Sequence, residues 1–552
     1  MKSTSSINPP AMPPSTQNIR GIFLATASAL AILCACSHAL ADGEGGISQR
    51  RGGNGGSSTI EGGEKGSDGT GRPQVGTGGL GGTNGYKGNG SDIVGTIIAG
   101  SDGQRGGDSG GTWMDPGGGG GGGGGGGNGV AIVDGSALTI SDSVTIKGGN
   151  GGSGGHSDDF PQLGDNGSSG GGGAGLYFQG SALNLAATVT GGNGGYADDL
   201  GNAGNGGGGV VFNGSSLLVS GNVNGGNGGD GYWSSVGRGG SGLTFLGDSL
   251  DVSGAITGGR GGNADSGGNG VHPAGDGGTG IIFSGQNINI SGTVTGGAGG
   301  QGGIPLHSIS MGYGDGGVAI TAENVAVVNT GTIEGGFDGL GLKQANAITF
   351  TGGTSSLTLT ATSQINGNVV ALQGGSDTLI LGGTQDSSFD VSSVGGEAQY
   401  QNFSSFLKTN DSTWTLNGSS AEIMPWTITK GVLSVSEDAN LGAETGTLTL
   451  NGGSLSTNGT FNTGRTLTLA QNAGFNVAAN TTLGLTGIVS GSGNLIKDGS
   501  GTLRLENTAN SYGDTLVKAG ELVGNAASIS GNIGNAGMIT FGADIDSVSV
   551  FT

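Results

Sequence analysis

LYFQGSALNLAATVTGGNGG at residues 176–195, VVFNGSSLLVSGNVNGGNGG at 210–229, LTFLGDSLDVSGAITGGRGG at 243–262 and IIFSGQNINISGTVTGGAGG at 281–300 share one register. With Phe178, Phe212, Phe245 and Phe283 as zero, apolar residues recur five places on (Leu183, Leu217, Leu250, Ile288), seven (Leu185, Val219, Val252, Ile290) and eleven (Val189, Val223, Ile256, Val294). A glycine pair follows each time at thirteen and fourteen. Looser copies begin at Val130, with Ile132 in the phenylalanine place, and at Val318, with Ile320 there, making six. Apolar residues at alternate positions in short runs are strands, because an amphipathic helix needs a period of 3.6. One such rung cannot bury its apolar face alone. Stacked on copies of itself, it places Phe over Phe and Val over Ile, and a continuous core grows from many weak units.

The phenylalanines lie 33 to 38 residues apart, yet the strand portion takes about fifteen. The remainder is Gly-rich insertion, such as GGNGGYADDLGNAGNGGGG at 191–209, expected as loops thrown out from one corner. Gly fills 137 of 552 positions against 11% charged and 5% aromatic residues. Two causes fit that composition: a low-complexity coat chain, or turns that need positive φ. The Phe register argues for structure over 130–336. It does not extend to 42–129, which ends in eleven consecutive glycines (117–127) and is expected to be largely irregular.

At the N-terminus, Lys2 and Arg20 precede an apolar run at 22–36, and Ala39-Leu40-Ala41 precedes Asp42. This order reads as an extended signal peptide, 1–41, and therefore as export. Cys34 and Cys36 both fall inside it, so the processed chain is expected to carry no thiol or disulfide. A formal charge of −22 with no Lys/Arg cluster argues against nucleic acid as a partner.

After about Gly336 the character changes, with Thr, Ser and Asn alternating with Leu in runs such as GTLTLNGGSLSTNG. From 487 to 531 the chain reads GIVSGSGNLIKDGSGTLRLENTANSYGDTLVKAGELVGNAASISG. This resembles the autotransporter-associated β-strand repeat. The pattern is carried by Gly491, Gly493, Leu495, Lys497, Gly499, Gly501, Thr502, Leu503, Leu505, Asn510, Tyr512, Gly513, Thr515, Gly520 and Leu522. An upstream segment ending in Phe406, Lys408, Trp414, Thr415 and Leu416 is similar to passenger domains of the same proteins. The resemblance implies a passenger, a right-handed parallel β-helix carried across the outer membrane of a Gram-negative cell by a C-terminal barrel and often serving as an adhesin. No barrel-like strand series is recognised before Thr552, so the translocation barrel is expected to be encoded outside this chain.

Several strings imitate catalytic or metal motifs. Gly107-Asp108-Ser109-Gly110-Gly111 matches a serine-protease nucleophile block, but the His that precedes it, His38, lies in the signal segment. Gly247-Asp248-Ser249-Leu250 matches an esterase block, yet its Gly and Leu occupy ordinary repeat positions. Gly374-Gly375-Ser376-Asp377-Thr378-Leu379 is one imperfect copy of a calcium nonapeptide, where an array needs several. The pairs Asp158-Asp159 and Asp198-Asp199 read as solvated loops, and Trp233 beside Tyr232 as a loop residue with some capacity for contact.

The sequence thus predicts an all-β, right-handed parallel β-helix (solenoid) with Gly-rich loop insertions. Its expected segments are a signal peptide (1–41), a Gly-rich irregular segment (42–129), six Gly-rich rungs (130–336) and an autotransporter-type β-helix (337–552). The expected role is non-enzymatic adhesion or cell-surface interaction, with no catalytic, cofactor or metal residues. The partner is an unspecified surface ligand on host, sibling cell or carbohydrate. A β-helical polysaccharide-active enzyme and a glycine-rich coat protein are the alternatives.

Overall fold

A computed structural model describes residues 56–59, 62–69, 77–88, 93, 97–109, 121–156, 166–198, 201–232, 235–265, 273–303, 312–542 and 548–550. The expected signal peptide, Trp113, Asp158-Asp159, Asp199 and Trp233 lie outside them. The described chain winds as a parallel β-helix. Three long sheets form its faces, with ten, thirteen and eight strands, each strand paired with its counterpart one rung away.

The first face carries the phenylalanine column, in which Phe178, Phe212, Phe245 and Phe283 are register partners. Their ring centroids are 5.2, 4.9 and 5.5 Å apart, and the first two pairs lie within 12° of parallel. Leu183, Leu217, Leu250 and Ile288 stack on the second face, and Val189, Val223, Ile256 and Val294 on the third. All are essentially fully buried. A side chain of this size contributes about 1.5–3 kcal/mol on burial, so the columns, and not any single strand, hold the helix together.

The sixth copy corrects the reading in one respect. Ile320 pairs with Ile281, two places before the phenylalanine, and Ala322 is the register partner of Phe283. The loop before this copy differs in length from the others, and an apolar Ile two residues early imitates the start of the run. The helix also begins before Val130, since Tyr86–Gly88 pairs with Val130–Ile132 and Ile97–Ala99 with Thr145–Lys147.

The Gly-rich insertions are the larger correction. They leave the helix at one corner, between the third and first faces, but they are not loose. Each insertion is an outgoing arm and a return arm that bond to arms of neighbouring rungs with a period of three. In 191–197, Gly192 and Gly195 donate across to Gly173 O and Gly170 O, while Gly191, Gly194 and Ala197 donate to Asn224 O, Asn227 O and Asp230 O of the next outgoing arm, all at 2.7–3.1 Å. In the return arm, Gly204 and Gly207 donate to Gly195 O and Gly192 O, and Gly206 to Arg238 O. A period of three is that of polyproline II, an extended chain with no internal hydrogen bonds, so every N–H is open to a neighbour. Two residues in three face other arms and the third faces outward. The described part of the segment expected to be irregular joins this lattice: Gly121, Gly124 and Gly127 donate to Gly107 O, Gln104 O and Ser101 O.

Glycine is demanded here by proximity. A Cβ built on Gly226 would stand 1.9 Å from Gly192 O. Positive φ is not the reason, because among the described residues the glycines with positive φ are Gly62 and then Gly341 onward.

After Asn346 the arms stop. From Ser387 an eight-stranded sheet and from Phe461 a six-stranded one complete the rungs, and the last pairing, Met538–Gly542 with Val548–Val550, is antiparallel. Strands such as Ser356–Leu359 and Thr502–Leu505 bury every second residue, Leu inward with Ser, Thr or Arg outward.

Candidate functional site: the outer face of the arm lattice

Because each outward third residue falls in line with its counterpart one rung away, the outgoing arms present columns of side chains. Nearest the helix stand Asp102, Asn150, Asn193, Asn227 and Arg260. In this column Oδ1 of each residue accepts the main-chain N–H of the next, from Asp102 to Asn150 (2.7 Å), Asn150 to Asn193 (2.8 Å), Asn193 to Asn227 (2.9 Å) and Asn227 to Arg260 (2.9 Å). Farther out, Asp230 Oδ1 accepts from Asn263 N (2.6 Å), and Asn263 Oδ1 accepts from Gln301 N (2.9 Å) and from the Arg260 guanidinium. Exposed Tyr196 belongs to the same outer column. Columns lie about 9 Å apart, from three residues at ~3.1 Å rise. Rungs repeat at about 4.8 Å, the spacing of paired strands. Asn193, Tyr196, Asn227, Asp230, Arg260 and Asn263 line a depression of about 270 Å³. Sequence reading placed these residues in loops and missed them. Their signal was the third position of Gly-Gly-x.

The return-arm face is organised by charge, with Arg238 3.5 Å from Asp276 and Lys343 3.0 Å from Asp315. Exposed on its surface, such pairs contribute little stability.

Of the motif residues, the protease-like block proves to lie beside His156, which sequence distance concealed. The approach runs through backbone: Ser109 N donates to His156 O (3.0 Å), and His156 N to Asp108 Oδ1 (2.6 Å). The Arg105 guanidinium, then the His156 N–H, hold the Asp108 carboxyl below the usual carboxylate range. Ser109 Oγ is buried with no hydrogen-bond partner among the described residues, and none of these offers it a base. In the esterase-like block, Ser249 pairs with Ser216 and Asn287 inside the second face, and a Cβ on Gly247 would stand 1.7 Å from Gly214 O. Asp377 of the calcium-like string is buried; burial raises its carboxyl above the usual range, and its Oδ1 accepts Ser355 N at 2.6 Å. It caps a corner. Asp198 is exposed. Among the described residues, no three His, Cys, Asp or Glu side chains converge as a metal site.

The lysines of the two resembling segments have a structural task. Lys408 Nζ donates to the carbonyls of Thr409, Asn410 and Lys430, and Lys497 Nζ to those of Asp498, Gly499 and Ala519, at 2.6–3.2 Å. The offsets of one, two and twenty-two residues are identical. Both side chains are fully buried, and burial pushes each ammonium down to about 8. Gly431 and Gly520 both have φ +69°, and a Cβ on either would lie 2.8 Å from the lysine Nζ. Lys and Gly at this interval therefore form one device, and the interval was the overlooked sign that residues 408–431 repeat the design of 497–520. A third buried cation, Arg465, binds the Asp438 carboxylate at 2.8 Å and the carbonyls of Asp438, Gly442, Ala443 and Gly446. A buried charge needs this degree of satisfaction.

Fold and site together define a β-solenoid that displays ordered polar side chains on a lattice of glycine arms. Among known proteins, the chain is 33% identical over 141 residues to the adhesin BmaC autotransporter of Brucella suis biovar 1. That match takes in 25% of this chain and 4% of the relative, so the chain spans a small part of the adhesin's length. No family model matches the chain, and no solved structure matches it.

Proposed function

We propose that this protein is a non-enzymatic, surface-exposed passenger of the adhesin type, which makes its contacts through the outer face of the outgoing arms. The observation that carries the reading is the side-chain ladder. Polar groups on an exposed surface ordinarily sample many rotamers, and ordering them on binding costs roughly 0.5–1.5 kcal/mol each. Here successive residues from Asp102 to Arg260 are tied by main-chain donors of the next rung, which removes part of that cost in advance. The partial likeness to an autotransporter adhesin supports the same reading, as does the Lys–Gly device shared by the two passenger-like segments. Export through the N-terminal segment and delivery to the cell surface belong to the proposal.

The test coats beads with the purified chain and counts attachment to bacterial and epithelial cells under flow. Attachment above that of beads coated with an inert protein is expected, and it should fall when Gly226→Ala disorders the arms. Equal attachment by both bead types would reject the adhesin reading.

A further inference from the structure

We infer that the depression on the outgoing-arm face is a binding site for a neutral, hexose-based oligosaccharide; this rests on the surface-contact reading and names its ligand class. The groups present suit that chemistry. Since Oδ1 of Asn193 and of Asn227 is taken by a main-chain N–H of the next rung, the orientation of each amide is fixed, and both Nδ2 donors belong to residues that line the depression. The Arg260 guanidinium adds donors alongside, steadied by Asn263 Oδ1. Asp230 uses Oδ1 for the Asn263 N–H, which leaves Oδ2 as an acceptor on an exposed residue. Vicinal sugar hydroxyls are donors and acceptors at once, and a row of fixed amides beside one carboxylate answers both roles. The Tyr196 ring, 44% exposed, supplies the apolar surface on which the C–H face of a pyranose packs.

Charge narrows the class. Within the site one Arg offsets one Asp, and the whole chain carries −22, which repels sulfated or uronic acid polymers. Size fits as well: about 270 Å³ lies just under the usual range for small-ligand pockets and suits a short sugar segment. The column continues along the rungs through Asn150 to Asp102, so a longer chain would find one further amide and then a carboxylate in line.

The experiment titrates the full chain with maltotetraose, cellotetraose, mannotetraose and N-acetyllactosamine by calorimetry and saturation-transfer NMR, with a heparin tetrasaccharide as the anionic comparison. Saturable binding of a neutral sugar is expected. Tyr196→Ala and Arg260→Ala should each weaken it about tenfold or more, as the loss of one good contact does. Arg238→Ala on the opposite face should leave it unchanged, and Tyr196→Phe, which keeps the ring, should retain most of it. Thermal unfolding of each variant reports whether the fold is intact. No saturable binding by any neutral sugar, preference for heparin, or binding indifferent to both alanine substitutions would overturn the inference. Bead attachment separates the two levels. Cells held without sugar binding sink the glycan site alone, whereas sugar binding without attachment sinks the adhesin reading and leaves the site standing.

Discussion

Substituting Gly226 by Ala is the sharpest probe of the arm lattice, because the usual consequence has the opposite sign. At a position free of strain, Gly→Ala stabilises by about 0.4–1 kcal/mol through the unfolded chain. At Gly226 the new Cβ would lie 1.9 Å from Gly192 O, where 3.0 Å is the practical floor, so the arms must part by about 1.1 Å. Three hydrogen bonds meet at this point, Gly226 N to Gly207 O, Gly207 N to Gly192 O and Gly240 N to Gly226 O, at 2.7–2.8 Å. Parting by that distance breaks them. At about 1 kcal/mol each, and after the gain from the unfolded chain, the loss is roughly 2–3 kcal/mol. Amide exchange followed by mass spectrometry should then run about thirty- to a hundredfold faster in peptides from 191–209 and 225–232, since 1.4 kcal/mol is tenfold. Strand peptides such as Ser216–Val219 should keep their protection. Gly208→Ala is the matched comparison, because its Cβ would meet nothing closer than 3.5 Å, and it should be neutral or slightly stabilising. If the two variants exchange alike, the lattice does not hold the arms.

Phe212→Ala should cost about 3–5 kcal/mol in urea unfolding, since it opens the middle of a stacked column, while Phe212→Leu should cost less than about half of that. Lys497→Met removes the donor of three part-buried carbonyls and should lower stability by about 2–4 kcal/mol; an unchanged urea midpoint would refute the capping role. Stability should also rise with pH between about 8 and 10, because over that window the unfolded lysines bind protons that Lys408 and Lys497 in the fold have released. It should fall again above about 10, where the unfolded chain ionises tyrosines that burial keeps neutral, Tyr400 being pushed up to about 12. A midpoint that only declines from pH 8 upward would contradict the lysine half of this.

The helical faces were legible because their residues have side chains. A Phe or Ile every rung at fixed offsets betrays a column, and the structure returned those columns in register, apart from the two-residue slip at Ile320 and Ala322. The arms were illegible for the opposite reason. A lattice built by glycine leaves no apolar periodicity, and long Gly runs look the same whether loose or packed. What remained visible was the polar third residue, and Asn193, Asn227 and Arg260 read as loop decoration until the rungs were laid side by side. The Lys–Gly interval was hidden by its length: twenty-three residues separate Lys497 from Gly520, one rung of the helix, and nothing local links them.

The unequal make-up of the rungs bears on how the molecule yields under tension. In a β-helix the hydrogen bonds between rungs run along the long axis, so a pull on the two ends loads each inter-rung junction in series, and the weakest opens first. Junctions between Val130 and Asn346 are closed by three strands and a double layer of arms, and those beyond Asn346 by strands and corner caps alone. Drawn out along this axis, the chain would unravel from the armless end toward the armed one. The part bearing the side-chain ladder would be the last to lose its shape, and the extended remainder would act as a shock-absorbing tether behind it.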